Sequence, residues 1–200
     1  EIFPSTPLGV GVFQSGNSGW IASDPGTYRT MDSGGHSKTF TVLPDRSAVP
    51  TFGPWTLSFP SGWGAPSSIP LKRFQSWTES QNPGVRYFSG TATYSSILHI
   101  PSALMTPQRQ VWLNLGEVRE IASIVVNGVP VQTLWRAPFV VRIDRQLHAG
   151  DNKVEIEVTN LWPNRLIGDL QPSATTRYTH TNVRAYTKDS PLLPSGLLEP

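Results

Sequence analysis

The sequence predicts an all-β protein, a sandwich of two layers of antiparallel strands, and three observations carry that prediction. In Asn152-Lys153-Val154-Glu155-Ile156-Glu157-Val158-Thr159 apolar side chains take every second position and polar ones fill the rest. That is the period of a strand with one wet face and one buried face. The 19 prolines and 17 glycines are scattered rather than repeated, which suits many short strands joined by turns and opposes long helices. Asn127-Gly128 is the dipeptide that a tight type I′ hairpin favours, because both central residues take positive φ. Residues 121–126 and 130–135 are therefore expected to pair.

In chain order, residues 1–45 are rich in Gly, Ser and Pro, with short extended pieces at 10–13, 26–29 and 39–43. Such pieces bury little apolar surface by themselves, so they are expected to be the tail of a preceding β-domain. With a linker at 44–52 they form an N-terminal appendage of residues 1–50, and the main domain spans 51–200. Its entry strand is 53–60. Trp63, Pro66 and Pro70 decorate a loop, and the turn-rich stretch that follows, to residue 84, is expected on the surface.

The longest strand candidate is 86–100, with Phe88, Gly90, Ala92, Tyr94, Leu98 and Ile100 facing the core and Gly90 marking a bulge or a close approach. Val111, Leu113 and Leu115 point inward from the next strand. In 121–126 both faces are apolar, which predicts a central strand covered twice. Phe139, Val141 and Ile143 alternate against Arg142 and Asp144. A last strand is expected at 182–187, and the apolar end, 191–200, stops abruptly, as though a terminal strand were missing. The two chemically dense stretches, 134–139 and 159–169, are expected to be loops held out by the sheet.

Composition excludes several functions. A hydrophobic fraction of 38% and a charged fraction of 15% over 200 residues are ordinary for a globular protein with a real core. The formal net charge is only +2 and no run of Lys or Arg exceeds two, so the basic footprint that nucleic acid or an anionic membrane requires is missing. No apolar stretch approaches the ~20 residues that span a bilayer. With Cys 0 there are no disulfides, thiolate nucleophiles or Cys-type zinc sites, while the redox compartment stays open. The chain begins at Glu1 with neither Met nor a signal peptide, which fits a processed chain or a piece of something longer. There is no N-glycosylation sequon.

Glu155 and Glu157 are a strand-borne carboxylate pair. Two residues along a strand separate side chains by about 6.6 Å, at the edge of the ~6.5–9.5 Å of an inverting glycosidase. Charges opposite a buried face are ordinarily just solvated, and that plainer reading is preferred. His36, His99, His148 and His180 lie near no nucleophile elbow, and no two are spaced for zinc. A structural calcium could use Asp144, Asp151 or Asp169 with backbone carbonyls, against turn-capping aspartates as the plainer role.

Trp135 with Arg136, and Trp162 with Asn164, Arg165 and Asp169, are the better functional candidates. A sugar presents an apolar C–H face and a rim of hydroxyls, which an aromatic platform beside Asn, Arg or Asp can match. The alternative is that Trp135 and Trp162 plug the ends of the sandwich while Arg136, Arg165 and Asp169 form an ion-paired clasp.

Six spaced motifs then point further: Val85-Arg86-Tyr87-Phe88-Ser89-Gly90-Thr91-Ala92-Thr93-Tyr94, Leu113-Asn114-Leu115-Gly116-Glu117-Val118, Val126-Asn127-Gly128, Leu134-Trp135-Arg136-Ala137-Pro138-Phe139, Gly150-Asp151-Asn152 and Thr159-Asn160-Leu161-Trp162-Pro163-Asn164-Arg165-Leu166-Ile167-Gly168-Asp169. In this order they resemble the C-terminal sugar-binding-like sandwich of glycoside hydrolase family 106, the α-L-rhamnosidases, and more loosely the sugar-binding domain of family 2 glycosidases. The resemblance implies a galactose-binding-like jelly roll in a rhamnosidase-like enzyme acting on plant or microbial polysaccharide, secreted or periplasmic. It implies that the catalytic domain, with its carboxylates and calcium, precedes residue 1, so no catalytic residue carries over. The expected partners are carbohydrate and the catalytic domain of the same enzyme, and no cofactor is expected beyond the possible calcium. The function expected is a non-catalytic carbohydrate-binding or structural module. The alternatives are an autonomous carbohydrate-binding module and a small glycosidase using Glu155 and Glu157.

Overall fold

A computed structural model describes residues 2–4, 12–14, 20–22, 26–42, 50–106, 110–183 and 185–198, the first three stretches as backbone only. The chain divides into two compact units, Glu1–Ser47 and Ala48–Pro200.

The first unit holds β1 (Ile2–Pro4), β2 (Val12–Gln14), β3 (Trp20–Ala22), β4 (Gly26–Met31) and β5 (Ser37–Val42). Strands β1, β4 and β5 form one antiparallel sheet in that order, and β2 pairs with β3. Tyr28 on β4 is buried and stacks on Phe40 of β5 at 5.5 Å. Asp32 shapes the turn between them, its Oδ1 accepting from the backbone N–H of Gly34 and of His36, each at 2.9 Å. Residues 10, 11 and 43 of the expected extended pieces, and 44–49 of the expected linker, lie outside the described residues.

The second unit contains β6 (Thr51–Phe52), β7 (Trp55–Ser58), β8 (Ser68–Leu71), α1 (Pro83–Arg86), β9 (Thr91–Ile100), β10 (Trp112–Asn114), β11 (Glu117–Arg119), β12 (Ile121–Val126), β13 (Val129–Leu134), β14 (Val140–Arg142), β15 (Gly150–Thr159), α2 (Pro163–Asp169) and β16 (Gly196–Leu198). The main sheet runs β13-β12-β15-β9-β7-β8, with β6 also on β9. The pairs β10–β14 and β11–β16 supply Leu113, Val118, Val141 and Leu197 to the same core as the inward side chains of the main sheet. All pairings are antiparallel, so the unit is an all-β sandwich.

The alternation in β15 does what its period dictates: Val154, Ile156 and Val158 are buried, while Lys153 and Glu157 are exposed. Facing them across the pairing, β9 buries Ala92, Tyr94, Leu98 and Ile100. The β12–β13 hairpin turns through Asn127 at φ 52° and Gly128 at φ 78°, the signature of a type I′ turn. Asn152 is fully buried and closes the turn before it, accepting from the N–H of His148 at 2.9 Å and donating to the His148 carbonyl at 2.8 Å.

Five expectations need correction. Residues 86–90 are not strand: α1 ends at Arg86, and β9 starts only at Thr91. The turn-rich stretch 71–84 is not confined to the surface, because Trp77 reaches the core, edge-on to Phe59 and Phe88, with its Nε1–H donating to the Tyr94 hydroxyl at 2.6 Å. A donor-bearing aromatic finds its partner inside. Strand β12 is not covered twice: it lies one strand from the sheet edge, and Ile121 is 39% exposed. Among the described residues of 182–187 there is no strand, and the C-terminal strand is β16, which pairs with β11. The expected linker contributes β6.

Candidate functional site

Register brings the chemically dense segments to one end of the main sheet. Thr159 at the close of β15 lies opposite Thr91 at the start of β9 and Ile121 at the start of β12. Leu134, at the close of β13, lies opposite Ala122. The segment bearing Trp135, helix α2 and the chain leading into β9 therefore leave the sheet at the same end.

The second of these segments is a helix where a loop was expected. Pro163 starts α2, since its fixed φ suits the first helical turn. The helix buries Asn164, Arg165, Ile167, Gly168 and Asp169. Gly168 has no alternative, because a Cβ there would lie 2.5 Å from the Tyr87 Cβ.

Asn164 is 2% exposed, and its amide is fully used. Its Nδ2 donates to the Leu193 carbonyl at 2.7 Å and the Ser195 hydroxyl at 2.9 Å, and its Oδ1 accepts from the Leu193 N–H at 2.8 Å. Asn160 joins the network, donating to Ser195 Oγ at 3.0 Å and to the Phe88 carbonyl at 2.9 Å. Together they fasten 193–195, and with it β16, to the core.

Arg165 and Asp169 are a buried ion pair with Nε and Oδ1 3.0 Å apart, in charge contact without an aligned hydrogen bond. The guanidinium lies 4.9 Å from the ring centre of Tyr178. Asp169 Oδ2 accepts from the N–H of Tyr178 at 2.9 Å, the N–H of Thr179 at 2.7 Å and the Thr179 hydroxyl at 2.6 Å. Asn164, Arg165 and Asp169 are thus buried among protein partners.

The tryptophans are not plugs. Trp135 is 70% exposed, with the Arg136 guanidinium 5.6 Å from its ring centre, and Arg136 takes no part in the clasp. Trp162 is 54% exposed and meets Trp63 edge-on at 6.0 Å, and Trp63 stacks on Tyr178 at 6.2 Å. A ladder Trp162–Trp63–Tyr178–Arg165 results, with Trp135 outside it. Trp63 and Tyr178 were missed from sequence. The one signal was Trp63 between Gly62 and Gly64, which take φ of 83° and 82°, and a Cβ at Gly64 would lie 2.6 Å from the Tyr178 hydroxyl oxygen.

The remaining candidates are occupied elsewhere. Glu155 pairs with Lys153 at 2.8 Å on the face of β15 away from the core, and Glu157 is exposed on that face. His99 contacts Asp151 at 2.8 Å, and His148 Nδ1 lies 2.9 Å from the Ala149 carbonyl oxygen. Arg142 grips both oxygens of Asp144, Nε to Oδ1 at 2.6 Å and Nη2 to Oδ2 at 2.9 Å, and that hydrogen bonding holds the carboxyl below its ordinary range. Asp144, Asp151 and Asp169 are each taken by a different protein partner, and no metal-holding group of three His, Asp or Glu exists among the described residues.

Beside α2 lies an open cleft of about 590 Å³, walled on one side by Leu166, Asp169 and Leu170 and on the other by residues of 177–188.

No family model matches the chain. A protein of Formosa agariphila named "Putative beta-glucuronidase" is 37% identical over 158 residues, which is 79% of this chain and 14% of that protein. The structure of a rhamnosidase from Novosphingobium sp. PP1Y matches with a TM-score of 0.70 at 35% identity, over 94% of this chain and 18% of that one. The chain thus spans less than a fifth of the length of these relatives. In sequence and in fold it is similar to one segment of much larger glycoside hydrolases.

Proposed function

We propose that this chain is a non-catalytic β-sandwich module of a rhamnosidase-like glycoside hydrolase, of the kind found at the C-terminus of family 106 enzymes. Its role is to hold the enzyme's parts together and to present a carbohydrate-contacting end. The observation that carries this is the match over 94% of the chain to only 18% of a rhamnosidase. The buried clasp supports a structural role, since Asn164, Arg165 and Asp169 are buried and Asn164 and Asp169 spend most of their hydrogen bonds inside the module. The sugar-contacting surface is Trp135 with Arg136, and Trp162 against Trp63, because these rings keep open area on which a C–H face can pack. A polysaccharide substrate puts such an enzyme in the periplasm or outside the cell.

The test is calorimetric titration of the purified chain with rhamnose-containing oligosaccharides, beside an aryl rhamnoside hydrolysis assay. The expected result is no turnover, with binding that falls in Trp162→Ala and in Trp135→Ala. Binding indifferent to both changes would remove the tryptophans from the role. Hydrolysis lost in Glu155→Gln would overturn the non-catalytic assignment.

A further inference from the structure

The cleft beside α2 is built, not accidental. Its near wall is fixed where Asp169 Oδ2 accepts the backbone N–H groups of Tyr178 and Thr179. Its far wall is fixed where Gln171 Nε2 donates to the Lys188 carbonyl at 2.8 Å while also donating to the Ile167 carbonyl at 3.2 Å. The Thr187 N–H to Ser190 Oγ hydrogen bond, 2.9 Å, turns the chain just beyond. The described residues of 177–188, which form no strand, are therefore tied to the helix end at two points, and the space between, about 590 Å³, is left open. That volume falls in the range of roughly 300–1,000 Å³ that small ligands occupy.

The lining offers three kinds of contact. Leu166 and Leu170 give an apolar strip, Thr181 and Tyr186 give hydroxyls that both donate and accept, and Arg177, His180 and Lys188 give nitrogens. The single carboxylate of the lining, Asp169, is already matched by Arg165 and three donors. Arg177 makes no ion pair among the described residues, and Lys188 pairs only with its exposed neighbour Asp189, a contact of little worth. The cleft therefore presents Arg177, without an ion pair among the described residues, and Lys188, held only by its exposed neighbour, beside hydroxyls and an apolar strip.

We propose that this cleft binds an acidic sugar, a saccharide carrying a carboxylate. A guanidinium matches a planar carboxylate with two parallel hydrogen bonds, the hydroxyls match a polyol, and the leucines match its C–H face. A neutral sugar leaves the cations idle, and a bare inorganic anion leaves the rest idle. The inference rests on the carbohydrate-handling role proposed above, but at a different site and for a different class of ligand.

The experiment is calorimetric titration of the whole chain at low salt with a galacturonic acid trimer, a neutral galactose trimer of the same length, and inorganic phosphate. The acidic trimer is expected to bind at least about ten-fold more tightly than either of the others. Salt should weaken it, because exposed charges are screened. The double change Arg177→Gln with Lys188→Gln should weaken it about ten-fold or more, with an unaltered melting temperature, since both side chains are exposed. Equal binding of the neutral trimer, phosphate binding as tight as the trimer, affinity kept in the double variant, or no binding of the acidic trimer each overturns the proposal. Trp162→Ala should leave the acidic trimer's affinity unchanged. Rhamnose-containing glycans that bind through Trp162 while the acidic trimer does not bind would fell the cleft and leave the proposed function standing.

Discussion

Replacing Asn164 with alanine separates a clasp from a sugar site. The substitution removes three hydrogen bonds, two donated by Nδ2 to Leu193 O and Ser195 Oγ and one accepted by Oδ1 from Leu193 N. Ser195 Oγ keeps Asn160 Nδ2 at 3.0 Å and still donates to the Leu193 carbonyl at 3.1 Å, so the group left orphaned is chiefly the Leu193 N–H. A typical intramolecular hydrogen bond contributes about 0.5–1.5 kcal/mol net, so the loss should be about 2–4 kcal/mol. For a domain of this size each kcal/mol moves the melting temperature by about 2–4 °C, giving a fall of roughly 5–15 °C.

The assay is thermal unfolding of the purified chain followed by far-ultraviolet circular dichroism and by tryptophan fluorescence, where buried Trp77 reports on the core. Trp162→Ala is the companion variant, because that ring is 54% exposed and its edge-on contact with Trp63 is worth only about 1 kcal/mol. A melting temperature of Asn164→Ala within about 1 °C of the parent, together with weakened glycan binding, would refute the structural assignment and make Asn164 a ligand.

Asp169→Ala strands the buried Arg165 guanidinium, and losing one partner of a buried pair should cost about 3–5 kcal/mol, read as a lower urea midpoint; a near-neutral effect would mean that water reaches the pair. Burial pushes the Tyr94 hydroxyl from its ordinary value of 10.0 up to about 12. The stabilisation it represents is therefore complete below pH 10 and lost as pH rises through about 12, a fall of roughly 3 kcal/mol. Tyr94→Phe, weaker at neutral pH because the Trp77 Nε1–H and the Leu197 N–H lose their acceptor, should lack that alkaline decline; equal declines in both proteins would contradict it. Gly84→Ala drives a Cβ to 1.9 Å from the Gly64 carbonyl oxygen, so the loop carrying Trp63 must shift, and fluorescence should report a changed indole environment.

The strands were legible where one face alone meets the core. In β15 and β9 alternation is enough, because burial there depends on parity and nothing else. The Asn127-Gly128 turn was legible because its backbone demand falls on two adjacent residues. Helix α2 was not: it is seven residues long, and its buried set includes Asn164, Arg165 and Asp169, polar residues that a periodicity count assigns to solvent. What makes them burial-compatible are partners such as Leu193, Ser195 and Tyr178, between 9 and 31 positions away, which no local pattern announces. Trp77 was misplaced for the same reason, since its acceptor, Tyr94, lies 17 residues on. Ile121 misled in the other direction: an apolar side chain on an outer face carries no signal of its own exposure.

A sugar site and a polar clasp draw on the same side chains, so the residues 159–169 could not decide between them by type. Saturation decides. Asn164 has committed both donors and its acceptor, and Asp169 Oδ2 already accepts three hydrogen bonds, so a ligand would have to break contacts worth as much as those it made. The recognition proposed here falls instead on groups with capacity to spare. These are the open rings of Trp135 and Trp162 at the sheet end, and in the cleft Arg177 with Lys188, which is held only by its exposed neighbour Asp189. The clasp underlies both: Asp169 places Tyr178, on which Trp63 stacks with Trp162 edge-on beyond it, and the same carboxylate fixes the near wall of the cleft. Its removal should therefore disturb both surfaces together, whereas changes at Trp162 or at Arg177 should each disturb one.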